Sequence, residues 1–182
     1  MEPLLILPLI AFLILLVLFL LVLRRAGRFI ARTRDVERFR RQVADLAGRI
    51  DTSLGEICAR VDEVRRGQIG PDLLADDLAA SLDGVAKYTD EARGLHPPAD
   101  AARIRDEIVA ELGRAARALE MIEHGRSIQA SARMGGREIE AQTSIKRGYL
   151  NVLHAKEAIA HQVGLARAVA VRDDAGFERR NA

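Results

Sequence analysis

Four histidines, one cysteine and a few acids at helical spacing are the residues of this 182-residue chain that could make a reactive or metal-binding site. Glu157 and His161 stand four apart, with His154 one heptad before His161, so a helix would carry them on or beside one face. A metal site there needs further ligands from a second helix, and Glu120, Glu123 and His124 are the cluster that could supply them. A di-iron bundle needs Glu-x-x-His pairs. The residues three before His96, His124, His154 and His161 are Arg93, Met121, Asn151 and Ala158, so the chain has no such pair. A solvated helix face accounts for the same residues with fewer requirements, and neither a metal nor a cofactor is expected.

Cys58 is the only cysteine, which excludes an internal disulfide and suits a reducing cytoplasm. It flanks an apolar seam and reads as a small hydrophobe. Lys156 interrupts an otherwise apolar stripe. Its stem can pack while the ammonium reaches solvent, or Ala155 can take the inner place; a buried catalytic lysine is the competing reading. Neither Gly67 with Gly70 nor Gly135-Gly136 fits a phosphate-binding fingerprint, and nucleophile-elbow, zincin and zinc-finger spacings are absent. No catalytic residue is assigned, and the chain is expected not to be an enzyme.

The elements that carry these residues are helical almost throughout. Val36, Phe39, Val43, Leu46, Ile50, Ser53 or Leu54, Ile57, Val61 and Val64 recur at spacings of three and four, which predicts a helix over 35–66 of roughly 48 Å. Acid-before-base pairs four apart lace its polar face: Glu37 with Arg41, Asp45 with Arg49, Glu56 with Arg60, Asp62 with Arg66. Glycines at 67 and 70, then Pro71 and Asp72, end this helix and start a second with the stripe Leu74, Leu78, Leu82, Val85, Tyr88, Ala92 and Leu95. Pro97 and Pro98 make the next turn. A third helix carries Ile104, Ile108, Leu112, Ala115, Leu119 and Ile122 and is expected to weaken at His124-Gly125, leaving residues 126–136 as helical continuation or flexible connection. The last helix places Ile139, Ile145, Tyr149, Val152, Lys156, Ile159, Val163, Ala166 and Ala170 in one register. Residues 173–182 read as a disordered tail. Short turns between long helices imply antiparallel neighbours, so residues 35–172 are expected to form a bundle of about four long, coiled-coil-like helices.

Ahead of the bundle, residues 3–23 are uncharged and apolar. At ~1.5 Å per residue they reach roughly 32 Å, against a hydrocarbon core of ~30 Å, so residues 1–24 are expected to be a transmembrane anchor. The run has no basic start and exits into Leu23-Arg24-Arg25 rather than a small-residue cleavage site, which favours an uncleaved anchor over a secretory signal. Eight arginines against Asp35 and Glu37 lie in residues 24–41. Within the juxtamembrane segment 25–34 and at its edge, Arg24, Arg25, Arg28, Arg32 and Arg34 all follow the apolar run. That bias predicts an outside N-terminus and a cytoplasmic body in the cell membrane. These five arginines are the expected membrane-surface contacts, each worth about 1 kcal/mol beside anionic lipid, with Phe29 and Ile30 adding apolar contact; setting topology alone would explain them too. Gly27 is the expected flexible point between anchor and bundle.

The net charge of +2 comes from a slight arginine excess, and the basic stripe abuts the anchor without interleaved aromatics. No nucleic-acid partner is expected. The fold class is therefore all-α: one N-terminal transmembrane helix followed by an antiparallel helical bundle. Its expected work is that of a single-pass scaffold or adaptor, with the lipid bilayer, an unidentified protein and a further copy of itself as candidate partners. A metal- or small-molecule-binding bundle and an exported envelope or sensor domain are the alternatives. The layout is similar in outline to that of the LemA-type membrane proteins, without their run of motif residues in the first soluble helix, and no family is assigned on it.

Overall fold

Long stretches rich in alanine, leucine, arginine and glutamate propagate helix. The chain uses four such stretches: α1 (Ile6–Arg65), α2 (Ala75–Gly94), α3 (Ala102–Ala130) and α4 (Glu138–Ala168). Short 3-10 turns over Pro71–Leu74 and Ala99–Ala101 lead into α2 and α3. The computed structural model describes residues 6–131 and 136–169, with side chains described for these except residues 6–11, 14 and 25–32. The described residues are all helix and connection, with no strand. The expected tail, residues 173–182, and Ala170 lie outside them.

The chain divides into two compact units, one of Met1–Arg38 with Ala170–Ala182 and one of Phe39–Val169. The second holds the helical bundle. Helical structure runs through Gly27, the expected flexible point, without interruption. Within the first unit, Phe12, Leu13 and every residue from 15 to 23 are exposed apolar side chains. Among the described residues no helix is long and apolar enough to cross a membrane. The run expected to span, residues 3–23, falls partly outside them.

In the bundle the stripe of α1 is buried as expected: Phe39, Val43, Leu46, Ile50, Leu54, Ile57 and Val61 are each 3% exposed or less. The helix ends in two reciprocal bonds. The Gln68 N–H donates to the Glu63 carbonyl at 2.9 Å and the Gly67 N–H to that of Val64 at 3.0 Å, and Gly67 holds φ of 70°. Only glycine takes that left-handed position without strain, which is why the helix stops there. Arg60 and Arg49 of α1 reach Asp77 and Glu91 of α2, and Lys156 of α4 reaches Asp51 of α1. From Arg60–Asp77 to Arg49–Glu91, and from Asp51–Lys156 to the contact of Arg40 with Val169, numbers fall along α1 as they rise along its neighbour, so α1 is antiparallel to both. At the far end of α4, Arg40 donates to the carbonyl of Val169, supplying a cation and a donor where a helix leaves its carbonyls unpaired.

Two expectations for α3 and α4 are corrected. First, α3 does not weaken at His124-Gly125; it continues unbroken to Ala130, which makes residues 126–130 helix. Gly125 is buried because a Cβ there would lie 2.7 Å from the Ala141 carbonyl oxygen and 2.7 Å from Ile145 Cγ1. It is a point of close helix approach, and its missing side chain lets the two backbones meet. Gly148 does the same in reverse, 2.6 Å from the Ala118 carbonyl oxygen and 2.6 Å from Ile122 Cγ1.

Second, the α4 seam runs through Ala141, Ile145, Gly148, Val152, Ala155, Ile159 and Ala166. Tyr149 and Val163 are half-buried, and Ile139 is 78% exposed. Ile145, Val152, Ile159 and Ala166 were correctly placed. The intervening members are small because α3 and α4 pack too closely for Tyr149 or Lys156 to enter. Among the expected ion pairs of α1, Asp45 with Arg49 forms at 3.2 Å and Asp62 with Arg66 at 2.5 Å. Arg60 instead turns to Asp77 at 3.0 Å and Glu63 at 2.7 Å.

Candidate functional site

All five arginines expected at the membrane surface lie on α1, within the unit of Met1–Arg38. Arg24, Arg28 and Arg32 follow at intervals of four, the spacing of one helix face. Arg24 and Arg34 are exposed, while the side chains of Arg25, Arg28 and Arg32 lie outside the described residues. Immediately ahead of Arg24, the nine apolar residues 15–23 make two and a half helical turns and so occupy every side of the helix. Their exposure runs from 46% for Leu16 to 65% for Leu15.

The candidate ligands do not converge. His154, Glu157 and His161 face solvent on α4, so they lack the inward orientation that a metal-holding bundle requires. In the second cluster, Glu123 is taken by Arg126 through two bonds of 2.7 and 2.6 Å, and Arg126 also lies 4.0 Å from Asp72. His124 Nε2 sits 3.8 Å from Glu140. Glu140 is bonded by Arg137, and that guanidinium holds its carboxyl below the usual carboxylate range. These groups tie the start of α4 to α3 and to the turn before α2. Among the described residues no group of three or more His, Cys, Asp or Glu could hold a metal ion.

Ala155 takes the inner place beside Lys156, whose ammonium is drawn to Asp51 at 3.2 Å. Cys58 is buried; desolvation pushes its thiol above the ordinary value, and nearby Lys156 offsets part of that rise. Since the thiolate is the reactive form, this cysteine is held inert.

Residue-by-residue hydrophobicity passed over Glu111. Its side chain is 7% exposed and sits on the α3 seam between Ile108 and Ala115, where every other member is apolar or small. Arg114 neutralises it at 2.8 Å. The signal was available, because the period of three and four from Ile104 and Ile108 lands on 111 before 115. Glu111 lines a groove of about 740 Å³ between α3 and α4, together with Arg114, Arg117, Met121, His154 and Glu157. The groove mixes guanidinium, imidazole and carboxylate groups over an alanine floor and suits the recognition of a charged helix face.

No protein-family model, curated protein or solved structure matches the chain.

Proposed function

We propose that this chain is a single-pass membrane protein, N-terminus outside, whose cytoplasmic helical bundle acts as a scaffold or adaptor through protein–protein contact. The observation that carries the reading is the exposed apolar surface on all sides of α1 through residues 15–23, followed at once by arginine. A helix apolar all round belongs inside a protein core or inside a bilayer, and these side chains are uncovered. The uncharged run of residues 3–23 has the length a bilayer needs. The bias of basic residues to the C-terminal side of the run supports a cytoplasmic bundle, with Arg24, Arg25, Arg28, Arg32 and Arg34 as the proposed contacts to anionic headgroups. With Cys58 buried, Lys156 drawn to Asp51, and Arg49 and Arg60 paired with α2, the outward faces of the bundle are the surface that supports a contact role.

Alkaline extraction of membranes carrying the full chain tests the anchor. The chain is expected to stay in the pellet, and the double substitution Leu16→Arg with Leu20→Arg is expected to release it, since each arginine at mid-bilayer costs about 3 kcal/mol. Release of the unaltered chain would sink the anchor. A phosphatase fused to the C-terminus is expected to be inactive. Activity there would put the bundle outside the cell and favour an exported envelope domain.

A further inference from the structure

Two exposed rows on different helices of the bundle match in polar character and register. From this match we propose that the bundle associates with further copies of itself, the α2 face of one copy seating in the α3–α4 groove of the next. Since α1 pairs with both α2 and α4, and α3 packs on both, α2 and α4 stand at diagonal corners with their outer faces pointing apart. Both run antiparallel to α1 and hence parallel to each other. The cross-helix contacts of α1, Arg60 with Asp77, Arg49 with Glu91, Asp51 with Lys156 and Arg40 with Val169, set the levels. A residue of α2 is level with the α4 residue about seventy positions later.

At that offset the outer row of α2 meets the outer row of α4 in complementary order, charge against opposite charge at two levels and carboxylate against the N–H donor of an imidazole at two. Asp76 falls opposite Arg147, Asp83 opposite His154 and Lys87 opposite Glu157, all six exposed. The series extends one turn further, to Asp90 and His161, both also exposed. Even the single basic residue of the α2 row finds the single acid of the α4 row. Arg114 and Arg117 line the same groove from α3, where Asp83 would enter, and the groove's other acid, Glu111, is already neutralised. Between its charges α2 exposes Ala79, Ala80 and Ala86. These are small enough to let its backbone approach a floor of Ala118 and Ala158. Asp83 and Lys87 now pair with each other at 3.2 Å, three-quarters exposed, and such a surface pair is weak enough to exchange for intermolecular partners.

Because the two faces sit on diagonal corners, each contact leaves one of each kind free. The association is therefore heterologous and propagates into a row or a ring. The inference rests on the proposed tether in one respect: copies anchored with one topology all point the same way, as parallel pairing of α2 with α4 requires.

The test is cysteine cross-linking of the full chain in its own membranes, with Cys58→Ala and, in parallel, with Cys58 retained. A chain carrying Ala80→Cys and Asn151→Cys is expected to give a ladder of dimers, trimers and larger species. The two single-cysteine chains mixed should give dimers only, and each alone none. Lys87→Glu and Glu157→Lys are each expected to cut the cross-linked yield about threefold, the size of an exposed pair, and their combination to restore it. Dimers from one single-cysteine chain would mean a two-fold contact and overturn the proposal. So would equal yield from Ala80→Cys paired with His161→Cys, ten residues out of register, or failure of the charge exchange to restore. Alkaline extraction of the same membranes separates the two readings: a ladder from an extractable chain removes the tether and keeps the association, and a tethered chain without a ladder removes the association.

Discussion

Gly125→Ala and Gly148→Ala should each loosen the bundle, although alanine is the better helix former. A Cβ on Gly148 would lie 2.6 Å from the Ala118 carbonyl oxygen, 2.6 Å from Ile122 Cγ1 and 3.1 Å from the Ile122 nitrogen. Two of these three are backbone atoms, so no rotamer change relieves them. Ordinary contact begins near 3.4 Å, and α3 and α4 must separate by roughly 0.8 Å, thinning the packing of Ile122, Ile145 and their neighbours. Overpacking of this kind costs about 1–3 kcal/mol, while exchanging a helical glycine for alanine returns up to about 1 kcal/mol. The expected balance is a loss of about 1–2 kcal/mol, or some 4–8 °C in Tm for a unit of this size.

Thermal melts of the full chain in detergent, followed by circular dichroism, measure this directly. The geometry makes a second demand. Gly125 faces Ala141 and Ile145 just as Gly148 faces Ala118 and Ile122, so one outward movement of α4 relieves both sites. The double variant should therefore cost clearly less than the sum of the singles. Gly48→Ala and Gly164→Ala are the controls, since nothing lies within 4 Å of a Cβ at either position, and each should gain about 0.5–1 kcal/mol. A Gly148→Ala chain as stable as the Gly48→Ala chain would refute the close-approach argument.

Glu111→Leu should be neutral or stabilising in the same melts, because a packed apolar side chain replaces a buried charge. Arg114→Ala should cost about 1–3 kcal/mol by leaving Glu111 buried without its cation. If both are neutral, the carboxylate is solvated and the seam argument fails. Cys58 should resist maleimide at neutral pH and react fully once the chain is denatured. With its folded value raised, the stability it contributes is complete below its ordinary value near 9.0 and is lost as pH rises through the folded value, so Cys58→Ala should flatten the alkaline limb of the stability curve. Rapid labelling of the folded chain would contradict the burial.

The legible part of the fold was the part held by large residues. Phe39, Leu46, Ile50 and Leu54 of α1, Leu78 and Val85 of α2, and Ile108, Leu112 and Leu119 of α3 stand where hydrophobic periodicity put them, because a wide seam is filled by bulk. On α4 the same rule passed over Ala141, chose Tyr149 over Gly148 and left the inner place open between Lys156 and Ala155, which Ala155 takes. Close contact between helices selects for the absence of side chain, which a hydrophobicity ranking scores as indifferent. A legible sign did exist: Ala118, Ile122 and Gly125 have the same spacing as Ala141, Ile145 and Gly148. Two antiparallel helices carrying one small-large-small spacing can interlock about a local two-fold. Gly125, read alone, looked like a place for a helix to fail.

The charged residues were harder to read for a different reason. Along one helix, acids and bases four apart pair with each other by default, so Glu56 with Arg60 reads as lacing of a polar face. Arg60 already departs from that rule by reaching Asp77 on the next helix. What assigns the remaining rows is the level of one helix against another, a quantity with no counterpart in the linear order: Asp76 and Arg147 are seventy-one residues apart and share a height only because α1 antiparallels both their helices. In the proposed association the histidines take a different part from that of metal ligands. His154 and His161 sit on the outside because the inside is closed by alanine and isoleucine, and on the outside they stand in register with Asp83 and Asp90. On the proposed association, the polar groups between helices, such as Arg60 with Asp77 and Lys156 with Asp51, hold the fold, and those on the outer rows of α2 and α4 would recognise another copy.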